Sequence, residues 1–186
     1  MQMQHFYKDV YGFSQDDIFS LYRKMVEKFD SGSHFVEVGA FLGKSAVYMA
    51  VEIINSGKNI KFDCIDHWQG SEEHNNNDEV NLERLYEDFL ENITPVRGII
   101  NPIRANSIDA SKLYKPNSLD FIFIDASHDT NSVKDDLAYW MPRLKENGVI
   151  AGDDADNEGV SDAIRWFFDN EKLIVIGRQW MVDLEQ

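Results

Sequence analysis

With 186 residues, 43% of them hydrophobic and 12% aromatic, the chain is long enough for one domain with a substantial core. Its formal charge of −15 and pI near 4.6 argue against nucleic acid or an anionic membrane as a partner, and its lysines and arginines are scattered rather than clustered. No apolar run reaches membrane-spanning length, and the start MQMQHFYKDV has neither a basic nor an apolar leader region. The lone cysteine, Cys64, falls in an apolar stretch, so the expectation is a soluble, cytoplasmic, disulfide-free protein with a buried thiol.

In chain order, residues 14–30 predict a helix. Ser14 stands at the N-cap, Asp16 and Asp17 in the first turn, and Ile18, Leu21, Tyr22, Met25, Val26 and Phe29 at helical spacing. A break at residues 30–33 leads into a short buried strand, 34–38, then a glycine turn and a helix over 44–55 that stops at Ser56-Gly57. A second strand, 60–65, ends at Asp66, and the polar stretch 67–78 reads as a loop. A helix over 80–93 closes at Pro95. A third strand spans 99–105, and a short helix, 107–114, ends before Pro116.

Residues 119–124 (LDFIFI) are almost wholly apolar, as expected at the middle of a parallel sheet covered on both faces. Asp125 ends that strand. A helix over 131–144, a strand over 148–151 ending at Gly152-Asp153-Asp154, and a helix over 160–168 follow. Residues 173–176 and 179–184 then form a hairpin around Gly177-Arg178. Strand–helix alternation of this kind predicts a doubly wound, mostly parallel α/β sheet with an antiparallel hairpin at or near one edge. No repeat or linker divides the chain, so residues 1–186 are expected to form a single domain, with 1–30 a covering region and 34–186 the core.

In such a sheet the chemistry gathers at the carboxyl ends of the strands. Those ends carry Gly39, Asp66, Asn106-Ser107, Asp125 and Asp153-Asp154. Any one of these acids could merely cap the next helix. Asp125, Asp153 and Asp154 together would repel one another unless something positive lies among them.

The stretch FVEVGAFLGKS, residues 35–45, is a strand, a glycine turn and a helix start, the unit that offers backbone N–H groups to a nucleotide-like ligand. A P-loop needs four residues between its glycines, and here only Ala40, Phe41 and Leu42 intervene. The G-x-G-x-x-G dinucleotide fingerprint is absent as well. S-adenosylmethionine (SAM) needs no phosphate cradle. Glu37 before the turn and Asp66 at the end of the second strand supply the acids such a ligand requires, a carboxylate offering two acceptor oxygens to a ribose diol. Asp66 lies farther from Gly39 than the roughly 20 residues of the dinucleotide rule.

EVGAFLGKSAVYMA resembles motif I of the class I SAM-dependent methyltransferases, closest to the metal-dependent catechol and caffeoyl-CoA O-methyltransferases. FIDASHD and GVIAGDDAD resemble that group's later motifs, and IDHWQGSEEH is similar to the branch that methylates antibiotic sugars. The resemblance covers most of the chain from about Phe35. It implies a Rossmann-like sheet of seven strands, SAM as cofactor, a divalent cation such as Mg²⁺, and a small hydroxylated acceptor (sugar or catechol-like). By position, Glu37, Gly39, Phe41, Gly43 and Ser45 would line the methionine end of SAM, with Asp66 on the ribose and Ser107 and Ile108 beside adenine. Asp125, also next to the cofactor, would hold the cation with Asp153 and Asp154.

Two departures stand out: Asp154 where the group carries Asn, and His128 where it carries a catalytic lysine. The implied mechanism has the cation acidify an acceptor hydroxyl while His128, with Asp125, removes its proton before attack on the sulfonium methyl. His128 could instead be a helix-terminal residue bonded to backbone or solvent.

Trp68 and His74 are placed to cover a ligand or to pack, and His5-Phe6-Tyr7 and the first helix to fold over the rim. No inserted cap is evident, so the acceptor site would come from loops or from a second copy of the chain in a homo-oligomer. A binding module of the same fold without catalysis, or a metal-independent methyltransferase, is the alternative.

Overall fold

A computed structural model describes residues 2–13, 16–70, 80–168 and 172–184. Ser14, the expected cap, and His74 lie outside the described residues. Five strands run parallel: β1 (His34–Val38), β2 (Lys61–Asp66), β3 (Ile100–Arg104), β4 (Leu119–Ile124) and β5 (Leu144–Gly152). β7 (Gln179–Asp183) pairs antiparallel with both β5 and the edge strand β6 (Leu173–Ile176). The order across the sheet is β3-β2-β1-β4-β5-β7-β6, so the chain reverses its winding between β1 and β4. That is where a doubly wound sheet opens a crevice.

Alternation along the strands sends side chains to two cores. Phe35, Phe62, Cys64, Phe121, Phe123, Val149 and Ala151 pack under α1 (Asp16–Lys28), α2 (Lys44–Ser56) and α3 (Leu85–Asn92). Val36, Val38, Ile65, Ile122, Ile124 and Ile150 pack under α4 (Ser107–Ser111), α5 (Thr130–Trp140) and α6 (Glu158–Phe167). Cys64 is a free, fully buried thiol, and burial pushes its pKa well up.

The register levels the strand ends. Val38 aligns with Ile65 and Ile124, and Ile124 with Gly152. Gly39, Asp66, Asp125 and Asp153 therefore leave the sheet at one height, on neighbouring strands.

Boundaries depart from the sequence expectation where local chemistry intervenes. α5 stops at Trp140 because Pro142 cannot continue it, and a 3₁₀ turn follows. β5 starts four residues early, at Leu144, with a bulge opposite Leu119–Phe121 that absorbs the polar Lys145–Asn147. α4 ends at Ser111, and the helix expected over 80–93 is a 3₁₀ turn followed by the shorter α3. His5 stacks on Tyr48, 4.3 Å between centroids, and pairs with Glu52 at 2.7 Å, so it covers the flank of α2 rather than the rim. The rim is instead reached by Phe13, whose ring stacks 5.9 Å from Phe41. No described helix is long and apolar enough to cross a membrane.

Candidate active site

The turn after β1 is held against its neighbours on both sides. Gly39 donates its N–H to the Ile65 carbonyl at 2.8 Å, and its φ of +95° is one that L side chains avoid. A Cβ there would lie 1.8 Å from the Asp125 carbonyl oxygen, so only glycine lets the turn lie flat against the end of β4. α2 then starts at Gly43, which caps it without a side chain.

Asp66 builds the other wall. Its Oδ2 accepts the Phe41 N–H at 2.9 Å and its Oδ1 the Trp68 N–H at 2.7 Å, while the Trp68 indole donates to the Phe41 carbonyl at 2.7 Å. Phe41 and Trp68 both carry positive φ, 46° and 49°, so Asp66 braces two unfavourable turns at once. Trp68 packs on Tyr86 and Phe89 and is 2% exposed. Its ring is buried within the wall.

Glu37 points into the core beneath the turn, where it accepts the Ser45 hydroxyl. Burial lifts its pKa to about 7 against the pull of the Ser45 and Tyr22 hydroxyls, with Asp66 adding to the rise. Ser107 stands at the start of α4, its hydroxyl donating to Asp136 and accepting from the Trp140 indole at 2.8 Å. Its side chain is thereby committed to α5, and the half-buried Ile108 follows it.

Past the ends of β4 and β5 the acids converge. One donor atom from each of Asp125, His128 and Asp154 lies within 4.8 Å of the others. The His128 Nε2 sits 2.8 Å from Asp154 Oδ2. The Asp125 carboxyl is pushed up to about 7, first by burial and then by Asp153 and Glu37, against His128 and Arg178. Asp154 has φ +61°, which swings its carboxylate away from the strand line. Asp153 turns elsewhere, its Oδ1 accepting the Asp154 N–H at 2.7 Å and the Gln179 amide at 2.8 Å.

The family profile described as "Methyltransferase domain" matches residues 36–155. This chain belongs to that methyltransferase domain family. The match spans the turn, Asp66, Asp125, His128 and the Asp153-Asp154 pair.

No curated protein matches the sequence with significance. Solved structures share the fold at low identity. The O-methyltransferase NovP superposes with a TM-score of 0.68 at 18% identity, covering 89% of this chain and 78% of NovP. TomG, an O-methyltransferase from Streptomyces achromogenes solved with SAM, gives 0.64 at 11%, with 92% and 81% covered. An O-methyltransferase from Bacillus cereus solved with S-adenosylhomocysteine (SAH) gives 0.61 at 15%, with 95% and 85% covered.

The methyltransferase's residues fit its expected organic cofactor. Each Asp66 oxygen holds one backbone N–H and keeps a further acceptor site, enough for two ribose hydroxyls. The acid-lined crevice suits a sulfonium cation.

The expected divalent cation fits less well. Of the three expected carboxylates, Asp153 is absent from the converging group and His128 takes its place. An imidazole suits Zn²⁺, Fe²⁺ or Ni²⁺ better than Mg²⁺. Each Asp154 oxygen also faces a nitrogen partner, Oδ2 the His128 ring and Oδ1 the always-charged Arg178 guanidinium, whose positive charge opposes a second cation beside it. As arranged, the donors do not fit Mg²⁺.

Sequence reasoning did not single out Arg178 or Gly159. Arg178 comes from the β6–β7 turn. Its backbone carbonyl accepts the Ala155 N–H at 2.8 Å, and its side chain enters the acid cluster. The requirement for a positive group among three acids was the available signal.

Proposed function

We propose that this methyltransferase moves a methyl group from SAM to a hydroxyl oxygen of a small sugar or catechol-like molecule. One observation carries the reading. The Gly39 turn and the Asp125–His128–Asp154 group stand side by side at the β1–β4 crevice, with Gly39 packed on Asp125 itself. The O-methyltransferase neighbours, two of them solved with SAM or SAH, support it.

In this reading Glu37, Gly39, Phe41, Gly43 and Ser45 form the methionine side of the cofactor site, Asp66 holds the ribose, and Ser107 and Ile108 flank adenine. SAM supplies an activated methyl on a positive sulfur. The chain's own task is then to align an oxygen with that methyl and to remove the oxygen's proton. His128 takes that proton. Asp154, bonded to one ring nitrogen, orients the imidazole and stabilises the charge it gains at the other. Asp125, partly protonated near neutral pH, faces the cofactor side and hydrogen-bonds the acceptor.

A reading with Mg²⁺ at Asp125, Asp153 and Asp154 draws on the family resemblance and on two of those acids, Asp125 and Asp154, converging with His128 at this rim. The engagement of Asp153 and Asp154 by Gln179 and Arg178 weighs against it.

The test is calorimetry with SAH, followed by radiolabelled methyl transfer to a panel of hydroxylated sugars and phenols. Saturable SAH binding and label in an acceptor ether are expected. Binding without transfer to any acceptor would favour a non-catalytic module.

A further inference from the structure

We infer that Arg178 is the resident cation of the acidic rim, standing where the family resemblance places a divalent metal, so that this site works without one. The inference rests on the methyltransferase reading above. It differs from that reading in assigning the counter-charge of the rim to a side chain.

The guanidinium engages one carboxylate directly and lies within ion-pair range of two more, although its Nε hydrogen-bonds neither. Its Nη2 contacts Asp154 Oδ1, and its Nε lies 3.4 Å from Asp156 Oδ1 and 3.8 Å from Asp153 Oδ1. An arginine is always charged and presents its donors in a rigid fork, so it can bind several carboxylates from one position.

The backbone around it is built for delivery. Gly177 adopts φ +62°, a backbone conformation that L side chains rarely adopt, with the Asp17 carboxylate of α1 beside it. The Arg178 carbonyl is tied to the Ala155 N–H. The next residue, Gln179, donates its amide to Asp153. Arg178 and its neighbour Gln179 are thereby tied to the residues just past β5, and β7 is paired with β5.

Asp154 is also committed to this arrangement. Its left-handed backbone turns the carboxylate so that one oxygen meets Arg178 and the other His128. A divalent ion needs carboxylate oxygens at about 2.0–2.6 Å. To bind here it would have to displace the guanidinium from Asp154 Oδ1, or the His128 ring from Oδ2 and then sit beside the guanidinium's charge. Arg178 is thus a positioning residue: it holds Asp154, and through Asp154 the ring of His128, while balancing the rim's charge.

The experiment is calorimetric titration of the purified full chain with MgCl₂ and MnCl₂, with SAH present, for wild type, Arg178→Met and Arg178→Lys. Wild type and Arg178→Lys are expected to show no saturable cation binding in the millimolar range. Arg178→Met, which keeps the stem and removes the charge, is expected to gain Mn²⁺ affinity by at least tenfold. Arg178→Gln carries the same expectation should the methionine variant not fold, as judged by circular dichroism.

Stoichiometric Mg²⁺ or Mn²⁺ binding by wild type, lost in Asp154→Asn, overturns the inference. So does a folded, neutral Arg178 variant that gains no cation affinity. The cation titration reads Arg178 whether or not SAH binds, whereas absent SAH binding counts against the methyltransferase reading alone.

Discussion

Gly159 is pressed against His128: a Cβ on the glycine would stand 2.2 Å from the histidine's carbonyl oxygen and 3.2 Å from the Thr130 amide. The first turn of α6, capped by the Asn157 side chain on the Gly159 N–H at 2.9 Å, is thereby a template for the loop that carries the proposed base. The contact is with backbone, which has no rotamer by which to escape.

Gly159→Ala should therefore push α6 and the His128 loop apart. Overpacking of this kind costs about 1–3 kcal/mol of stability, and turnover should fall at least tenfold while SAH affinity stays within about twofold, because the cofactor turn lies on other strands. Gly98→Ala, where nothing lies within 4 Å of the added carbon, is the control and should leave both unchanged. Denaturant melts and steady-state kinetics on the pair decide the matter.

His128 and Asp154 should behave as a unit. If the imidazole takes the acceptor's proton, His128→Ala should lower kcat by about 10²-fold or more without changing SAH affinity. Asp154→Asn should lose part of the same effect, and the double variant should be little worse than His128→Ala alone. Additive losses in the cycle would show that the 2.8 Å contact is not used in catalysis.

The framework of this site was open to sequence reasoning because it rests on local signals. LDFIFI reads as a central strand, and the acids directly after three of the five parallel runs, Asp66, Asp125 and Asp153, land at the rim once the strands are in register. What depended on distant contacts was not open. Arg178 looks like the tip of a hairpin until β7 is seen to pair with β5, which brings the turn beside Asp153 and Asp154. Asp153 and Asp154 read as equivalent neighbours, but the positive φ of Asp154 sends the two carboxylates to different partners. The bulge at the start of β5 hid in a polar stretch with no strand periodicity.

Glu37 makes stability depend on pH with a predictable sign. Its carboxyl is raised by burial from an ordinary 4.5 to about 7 in the folded chain. Below pH 4.5 both folded and unfolded chains hold the proton, and the residue contributes nothing to the pH slope. Between those values the folded chain keeps a proton that the unfolded chain has released, so stability falls as pH rises. Above pH 7 the full penalty applies, about 3 kcal/mol. Glu37→Gln, which can still accept from Ser45, should match wild type near pH 4 and exceed its stability by about that amount at pH 8. Parallel wild-type and variant melting curves across that range would mean that the buried carboxyl is not shifted.

Asp66 has two duties that a simple loss of binding would not separate. It braces Phe41 and Trp68 through their N–H groups, and its remaining acceptor sites are proposed to hold the ribose diol. Hydrogen bonds to a charged group are worth about 1.5–3 kcal/mol, so Asp66→Ala should weaken SAH by roughly 10–100-fold, and Asp66→Asn, which keeps one acceptor oxygen, by less. The separation comes from a second ligand. An SAH analogue lacking the 2′ and 3′ hydroxyls makes no use of the diol contact, so Asp66→Asn should cost it little while still costing SAH. Equal losses for the two ligands would leave Asp66 as a brace for the turn and remove it from the cofactor site.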